Sequence, residues 1–203
     1  MKIKFQYNKT SLQFLEKQLK VRVRALPTLK SKESALRMEV KRTKDRFNEL
    51  KDELDQQIKK YDHIAALWNE FKPDLITVKD VTIETKKVAG VLLPIFESIS
   101  FEEKPYSRFN SPMWFPNAIA LLKELAERGI KTELELMKLE QLEYARKKAT
   151  QKVNLFEKMQ IPGYSDAIRK IKRYLEDEES LSKASQKIMR TNLEKTHRKE
   201  EVA

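Results

Sequence analysis

Apolar residues follow a heptad-like pattern over the first third of the chain. From Leu12 to Leu54 they recur at gaps of three or four residues, or at sums of those gaps. Three polar residues interrupt the lattice at core-type positions: Arg22, Glu33 and Thr43. A seam of this kind predicts a long helix that pairs with another helix. Beyond Leu54 the apolar pattern indicates a slip of one residue, to Ile58, Tyr61, Ala65, Trp68 and Phe71.

Pro27 lies inside this pattern and has no backbone N–H to donate. It predicts either one helix with a kink or two separate helices, over 10–25 and 28–71. The kinked helix is favoured because the lattice extends across Pro27, so residues 1–71 are interpreted as an N-terminal coiled-coil segment.

The middle of the chain, residues 72–116, changes character. Alternating β-branched residues in 76–85 and a second apolar run over 94–101 predict a β-hairpin, with Gly90 near the turn. A lone hairpin is only marginally stable in water, so one face should rest on the helices or on a partner. Prolines and aromatic residues then alternate over 105–116, which predicts an irregular loop whose aromatic side chains are either core residues or partner contacts.

Helical periodicity returns over residues 117–203. One predicted face contains Ile119, Leu122, Ala126, Ile130, Leu134, Met137, Ala145, Ala149, Val153 and Phe156. Pro162 and Gly163 predict a break in this C-terminal segment. If the segment folds back on residues 1–71, Pro27 lies level with about residue 164, which predicts a joint bend at Pro27, Pro162 and Gly163. The predicted fold class is mainly α, an antiparallel two-stranded coiled coil with a small β-hairpin foot in mid-chain.

The residue inventory points away from catalysis. There is no cysteine, only His63 and His197 could offer imidazole ligands, and three isolated glycines form no phosphate-binding loop. No catalytic residue, cofactor site or metal site is therefore predicted.

Positive charge is concentrated near the N-terminal end of the chain. Residues 1–50 hold 14 Lys and Arg against 5 Asp and Glu, within a net charge of +11 for the whole chain. Two basic clusters are prominent: Lys17, Lys20, Arg22 and Arg24, and then Arg169, Lys170, Lys172 and Arg173. Such bias suits an anionic partner, but neither cluster has the interleaved aromatic residues of a nucleic-acid-binding surface. A basic nucleic-acid-binding helical protein and a free-standing coiled-coil scaffold remain as alternatives.

The local sequence resembles the D subunit of the V/A-type rotary ATPases, in its prokaryotic short form, along nearly its whole length. The resemblance is carried by residues 10–20, 29–36, 81–94, 152–162 and 168–175. The most specific stretch reads Lys152-Val-Asn-Leu-Phe-Glu-Lys-Met-Gln-Ile-Pro162. Pro27 and the loop 105–116 are departures from the family's pattern.

This resemblance implies a non-catalytic central-stalk rotor subunit that couples ATP synthesis or hydrolysis to proton or sodium-ion transport. The implied partners are a catalytic hexamer of A and B subunits, a small F subunit and a connector above the membrane ring, with no nucleic acid and no membrane insertion. The implied location is cytoplasmic, on the cytoplasmic face of the membrane. The residues nominated for contact with the hexamer are Lys17, Lys20, Arg22, Arg24, Lys187 and Arg190. Those nominated for the foot and its partners are Val81, Ile83, Val91, Leu93, Trp114 and Phe115.

Overall fold

A computed structural model of the chain describes residues 3–61, 70–71, 73–107, 109 and 111–200. The elements, in chain order, are α1 Lys9–Lys60, a 3-10 turn Pro73–Leu75, β1 Ile76–Val88, β2 Val91–Glu103, α2 Phe115–Asn154, a π-helical segment Leu155–Gln160 and α3 Ile161–Glu200. The predicted fold class is confirmed: the described chain is mainly helical, with one two-stranded antiparallel sheet in its middle.

The helices and the hairpin form two compact units. Unit 1 comprises residues 1–31 and 151–203, and unit 2 comprises residues 32–150. In each unit the early part of the chain pairs with the late part in the antiparallel sense, because the numbers of bonded partners run in opposite directions. The pairs in unit 1 are Glu16–Lys172, Arg22–Gln160 and Lys30–Glu157, and those in unit 2 are Glu33–Thr150, Arg46–Glu135, Glu53–Arg128 and Gln57–Glu124.

Helix α1 is continuous through Pro27, so the alternative of two separate helices is wrong. The predicted seam is buried or half-buried at each of its positions from Leu12 to Leu54, including the polar positions Arg22, Glu33 and Thr43. The apolar and polar members together form one unbroken lattice with gaps of three and four.

The predicted slip after Leu54 is wrong in the part of α1 that the structure describes. Gln57 is half-buried and donates from Nε2 to Glu124 Oε1 at 3.3 Å, whereas Ile58 is 52% exposed. Helix geometry alone keeps the original lattice, since position 57 follows 54 at the usual spacing of three. Two later members of the predicted seam, Ala65 and Trp68, lie outside the described residues.

Helix α2 also follows a heptad-like lattice, which the apolar pattern obscured. Its inward positions include the buried Leu139 and Leu142 and the polar residues Thr132, Glu135 and Arg146, while the predicted core residue Met137 is exposed. Glu135 is tolerated there because Lys138 donates to it at 2.9 Å and Arg46 lies 3.5 Å away. Polar residues at seam positions therefore hid the register of this helix.

The chain does not leave the helical path at Pro162 and Gly163. Helical hydrogen bonding changes instead over the six residues of the π-helical segment, which ends with the Ile161 N–H bonded to the carbonyl of Phe156. A wider helical turn gives room for the ring of Pro162, which in a regular α-helix would collide with the carbonyl four residues earlier. Gly163 lies within α3, where the side chain of Ile3 packs so closely that an added Cβ would be 3.2 Å from its Cδ1.

Unit 1 brings Pro27 level with the π-helical segment rather than with Pro162. The flanking contacts show this: Arg22 bonds Gln160 and Lys30 bonds Glu157, one on each side of the proline. Pro27 thus lies opposite the stretch 157–160, which is earlier in the chain than residue 164, the partner that the predicted pairing gave. The joint bend itself stays a prediction.

The hairpin in unit 2 is longer than predicted, with strands of 13 residues each. Val88 pairs with Val91, which leaves Ala89 and Gly90 as a two-residue turn with φ of 49° and 82°. Positive φ at both central residues is the feature of a type I′ turn, whose twist matches that of the strands. Two register shifts interrupt the pairing: one leaves Lys79 as an extra residue in β1, between Val78 and Asp80, and the other leaves Glu97 as an extra residue in β2, opposite the step from Thr82 to Ile83.

Each unit has its own apolar core. Unit 1 buries Leu15, Ala167, Ile168 and Ile171. Unit 2 has two clusters: Leu36, Val40, Leu93, Leu139 and Leu142, and then Phe71, Leu75, Phe115, Ala118 and Ile119. In the first of these, Ala145 and Ala149 of α2 pack beside the hairpin turn, so their small side chains make room for the hairpin.

Candidate partner surfaces

In the N-terminal basic cluster, three residues are exposed and the fourth, Arg22, bonds to other residues of the chain. Lys17, Lys20 and Arg24 have exposed side chains on α1. Arg22 is different: its Nε donates to Gln160 Oε1 at 2.7 Å, and its guanidinium carbon lies 4.5 Å from the ring centroid of Tyr164. Arg22 is therefore a packing residue of unit 1, and the surface available to a partner consists of the other three.

The second basic cluster is largely neutralised within unit 1. Arg169 and Lys170 both bond to Asp166, and Lys172 lies 2.8 Å from Glu16. The hydrogen bonds that Lys170 and Arg169 donate lower the pKa of Asp166. Cations already paired with carboxylates have less to offer to phosphates, so this arrangement does not favour the nucleic-acid alternative.

The described part of the chain leaves the C-terminal part of α3 exposed on all its sides. Every side chain from residue 176 to residue 195 is exposed. This stretch includes the nominated Lys187 and Arg190 and four large apolar residues: Leu181, Ile188, Met189 and Leu193. Leu181 and Ile188 are 71% and 61% exposed and lie two helical turns apart, on one side of the helix. The sequence pattern predicted apolar residues here but could not show that the described part of unit 1 leaves them exposed.

Of the hairpin residues predicted to contact a partner, some are accessible and one is buried in the core. Ile83 is exposed, and Val81 and Val91 are half-buried. Leu93, by contrast, is buried against α1 and α2 in the first core cluster of unit 2, so it belongs to the chain's own core. Leu92, which was not nominated, is exposed and apolar; its place next to an inward-facing residue in a strand is the signal that could have identified it.

The aromatic residues of loop 105–116 are mainly core in the part that the structure describes. Phe115 is buried, and its ring lies 5.3 Å from that of Phe71 and 5.0 Å from that of Trp114. Phe115 is therefore assigned to the core and not to a partner surface, while Trp114 is half-buried. Phe109 and Met113 are fully exposed and are the apolar tips that a partner can reach.

No described helix is long and apolar enough to cross a membrane, and no described cluster of His, Asp or Glu has a metal-binding arrangement. His63 and the side chain of His197 lie outside what the structure describes.

Comparison with known proteins decides the family. The family model for the ATP synthase D subunit matches residues 11–191. The chain belongs to the ATP synthase D-subunit family. It is 30% identical over 198 residues to the V-type ATP synthase D subunit of Borreliella burgdorferi, which covers 96% of this chain and 98% of that relative. The corresponding protein of Chlamydia pneumoniae is 30% identical over 189 residues, with 87% of each chain covered.

The D-subunit match includes all the candidate contact residues, from Lys17 to Arg190. It also spans the hairpin, the π-helical segment and most of both compact units. Pro27 and loop 105–116, the two expected departures from the family's pattern, also lie within the matched range.

Proposed function

We propose that this member of the D-subunit family is the non-catalytic central-stalk rotor of a V/A-type ATP synthase. In this role it couples ATP turnover in a catalytic hexamer of A and B subunits to rotation of an ion-translocating membrane ring. Family membership and the names of the relatives support the complex to which it belongs. The antiparallel helix pairing in each unit supports a stiff mechanical part.

The observation that carries the proposal is the exposed C-terminal part of α3. Helices in proteins gain most of their stability from packing of an apolar face, and large apolar side chains contribute only when something covers them. Leu181 and Ile188 form an apolar side of this exposed helix, and the exposed Lys187 and Arg190 lie on its other sides. A surrounding collar of partner loops would bury the apolar side and meet the cations with carboxylates.

The hairpin end of unit 2 is proposed to bind the small F subunit and the connector. Its exposed apolar residues, Ile83 and Leu92 on the strands and Phe109 and Met113 in the loop, offer the contacts. Their spread over strand and loop suits a partner that covers the hairpin from outside while Leu93 and Phe115 hold it to the helices.

The test is reconstitution with the A and B subunits of the same organism. Replacing Leu181→Ser and Ile188→Ser together is expected to weaken binding to the hexamer by about tenfold or more, since each large aliphatic side chain contributes about 1.5–3 kcal/mol when buried. The thermal unfolding midpoint of the isolated chain should stay unchanged, because both side chains are exposed in it.

The matched control is Leu92→Ser, which removes a similarly exposed leucine from the hairpin. It should leave hexamer binding unchanged and weaken binding to the F subunit or the connector. Equal hexamer binding by the α3 variant and the unmodified chain would overturn the placement of α3. A chain that binds neither the hexamer nor the F subunit would instead favour a free-standing scaffold.

A further inference from the structure

A purely apolar heptad seam leaves the axial alignment of two antiparallel helices poorly determined. Sliding one helix by seven residues, about 10.5 Å, brings each apolar knob to an equivalent hole. Most seam positions of α1 are occupied by leucine or another aliphatic residue. Something other than the apolar residues must therefore select one alignment, and the polar seam residues Arg22 and Glu33 are placed to do so.

Arg22 is committed to partners on the opposite helix of unit 1. Its Nε donates to Gln160 Oε1 at 2.7 Å, and the ring of Tyr164, one turn further on, lies under the guanidinium. One of its other nitrogens donates to Gln18, to both the carbonyl and the side-chain oxygen. An apolar residue opposite Arg22 could not accept these directional hydrogen bonds from the guanidinium.

Glu33 plays the corresponding part in unit 2. Its side chain is only 15% exposed, and its Oε1 accepts from Thr150 Oγ1 at 3.0 Å and from Arg37 at 2.8 Å. The contact with Thr150 is the one that joins the two helices, since Arg37 is on α1 with Glu33.

The sequence penalises both neighbouring alignments. A slip of seven residues in either direction would replace Thr150 opposite Glu33 by Glu143 or by Glu157. The same slip would replace Gln160 opposite Arg22 by Val153 or by Ala167. Two carboxylates would then face each other in a half-buried seam, or a guanidinium would lose its acceptor, and both changes cost free energy.

We propose that Arg22 in unit 1 and Glu33 in unit 2 determine the register, that is, the axial alignment of α1 against the returning helix. They specify the alignment, as polar residues do at the seams of other coiled coils. For the proposed rotor, a fixed register would let one helix pass torque to the other without sliding; that consequence rests on the proposed function, whereas the register itself does not.

The test uses the full chain, which has no cysteine, so introduced cysteines can carry spin labels without competing sites. One labelled pair, Lys17→Cys with Arg169→Cys, reports on unit 1, and a second, Met38→Cys with Tyr144→Cys, reports on unit 2; these four side chains are exposed. Distances are measured by pulsed electron paramagnetic resonance in the unmodified background and in the variant Arg22→Leu with Glu33→Leu.

The unmodified background should give one narrow distance distribution for each pair. The double leucine variant should keep its helix content but show a second population, displaced as expected for an axial slip of about 10.5 Å. The control variant, Arg24→Leu with Glu49→Leu, makes the same chemical changes at exposed positions of α1 and should keep one population.

A conservative change separates register from packing. Glu33→Gln retains an acceptor for Thr150 but loses the charge that would oppose Glu143 or Glu157, so its second population in unit 2 should be smaller than that of the leucine variant. A single, unshifted distribution in both units of the double leucine variant would overturn the proposal. If that variant unfolds, the single change Glu33→Leu is measured with the unit 2 labels, and one unshifted population there would overturn it equally.

Discussion

The carboxylate of Glu33 accepts a hydrogen bond from the hydroxyl of Thr150 at 3.0 Å, although 117 residues separate the two in the chain. Arg37, one turn along α1, donates to the same oxygen. The hydrogen bond from Arg37 contributes most to lowering the pKa of Glu33 below its ordinary value of 4.5, and Thr150 and the charge of Arg146 lower it further against the opposing effect of burial. Folding therefore favours the ionised form of this carboxyl.

The lowered pKa of Glu33 predicts an acid-dependent loss of stability. A depressed pKa contributes stability that is complete above the ordinary value of 4.5 and is lost as the pH falls through the folded-state pKa. The free energy of unfolding of Glu33→Gln should lie below that of the unmodified chain at pH 7, and the gap should shrink below pH 4.5. Denaturant titrations at several pH values measure it, with the exposed Glu49→Gln as control. A gap independent of pH would contradict the assignment.

Replacing Gly90 or Gly129 by alanine should change the free energy of unfolding in opposite directions. Gly90 has φ of 82°, and an added Cβ would be 3.2 Å from Lys32 Nζ, so Gly90→Ala should lower the free energy of unfolding by about 1–2 kcal/mol. Gly129 lies in α2, where an added Cβ meets nothing within 4 Å. Gly129→Ala should raise the free energy of unfolding by about 0.5–1 kcal/mol through helix propensity alone. Thermal unfolding of both variants decides the matter, and equal signs would contradict the turn assignment.

Leu142 is fully buried where the hairpin meets α1 and α2. Leu142→Ala should lower the free energy of unfolding by about 2–5 kcal/mol, because the lost contacts leave a cavity. Met38, which is exposed on α1, provides the control: Met38→Ala should change it by less than about 0.5 kcal/mol. Chemical denaturation measures both. A small effect at Leu142 would mean that the hairpin does not pack firmly on the helices.

The α1 seam was predictable because its positions are mostly aliphatic and the spacing of three and four persists over many turns. The same spacing argument was wrong after Leu54, because it assigned the apolar Ile58 to the seam. The inward position belongs to Gln57, which bonds to Glu124, whereas Ile58 is exposed. In α2 the polar residues Glu135 and Arg146 occupy seam positions, so apolar spacing alone could not show the lattice. Whether a polar residue occupies an inward position depends on its partners on the other helix, and the local sequence pattern does not contain that information.

The candidate contact residues were only partly predictable for a similar reason. Charge clusters identify a basic end of the chain, but they do not separate Arg22, which bonds across the helix pair, from the exposed Lys17 and Lys20. Likewise Leu93 and Phe115 are apolar in a segment expected to bind partners, yet both are used by the chain's own core. Residues of the same type in one segment can be core residues or partner contacts, and only their burial in the folded chain distinguishes the two.

Pro27 predicts a gain of stability on substitution. It is exposed in the interior of a continuous α1, where it can neither donate to the carbonyl of Val23 nor avoid crowding it. Pro27→Ala should raise the free energy of unfolding by about 1–3 kcal/mol. Thr28→Ala, at the next and likewise exposed position, should raise it by no more than about 0.6 kcal/mol. A destabilised Pro27→Ala would show that the opposing π-helical segment requires the proline.

The exposed basic residues of α1 predict a salt-dependent assembly of the proposed rotor. Reversing Lys17, Lys20 and Arg24 to Glu should weaken binding to the hexamer, and the loss should be larger at low salt, since screening lengths fall from about 10 Å at 0.1 M to about 3 Å at 1 M. Arg22 is left intact because its loss would disturb unit 1 itself. The control reverses three exposed hairpin lysines: Lys79, Lys86 and Lys87. It should leave hexamer binding unchanged. Binding constants measured at both salt concentrations decide the matter, and losses that are equal at low and high salt would exclude an electrostatic contact at this end of α1.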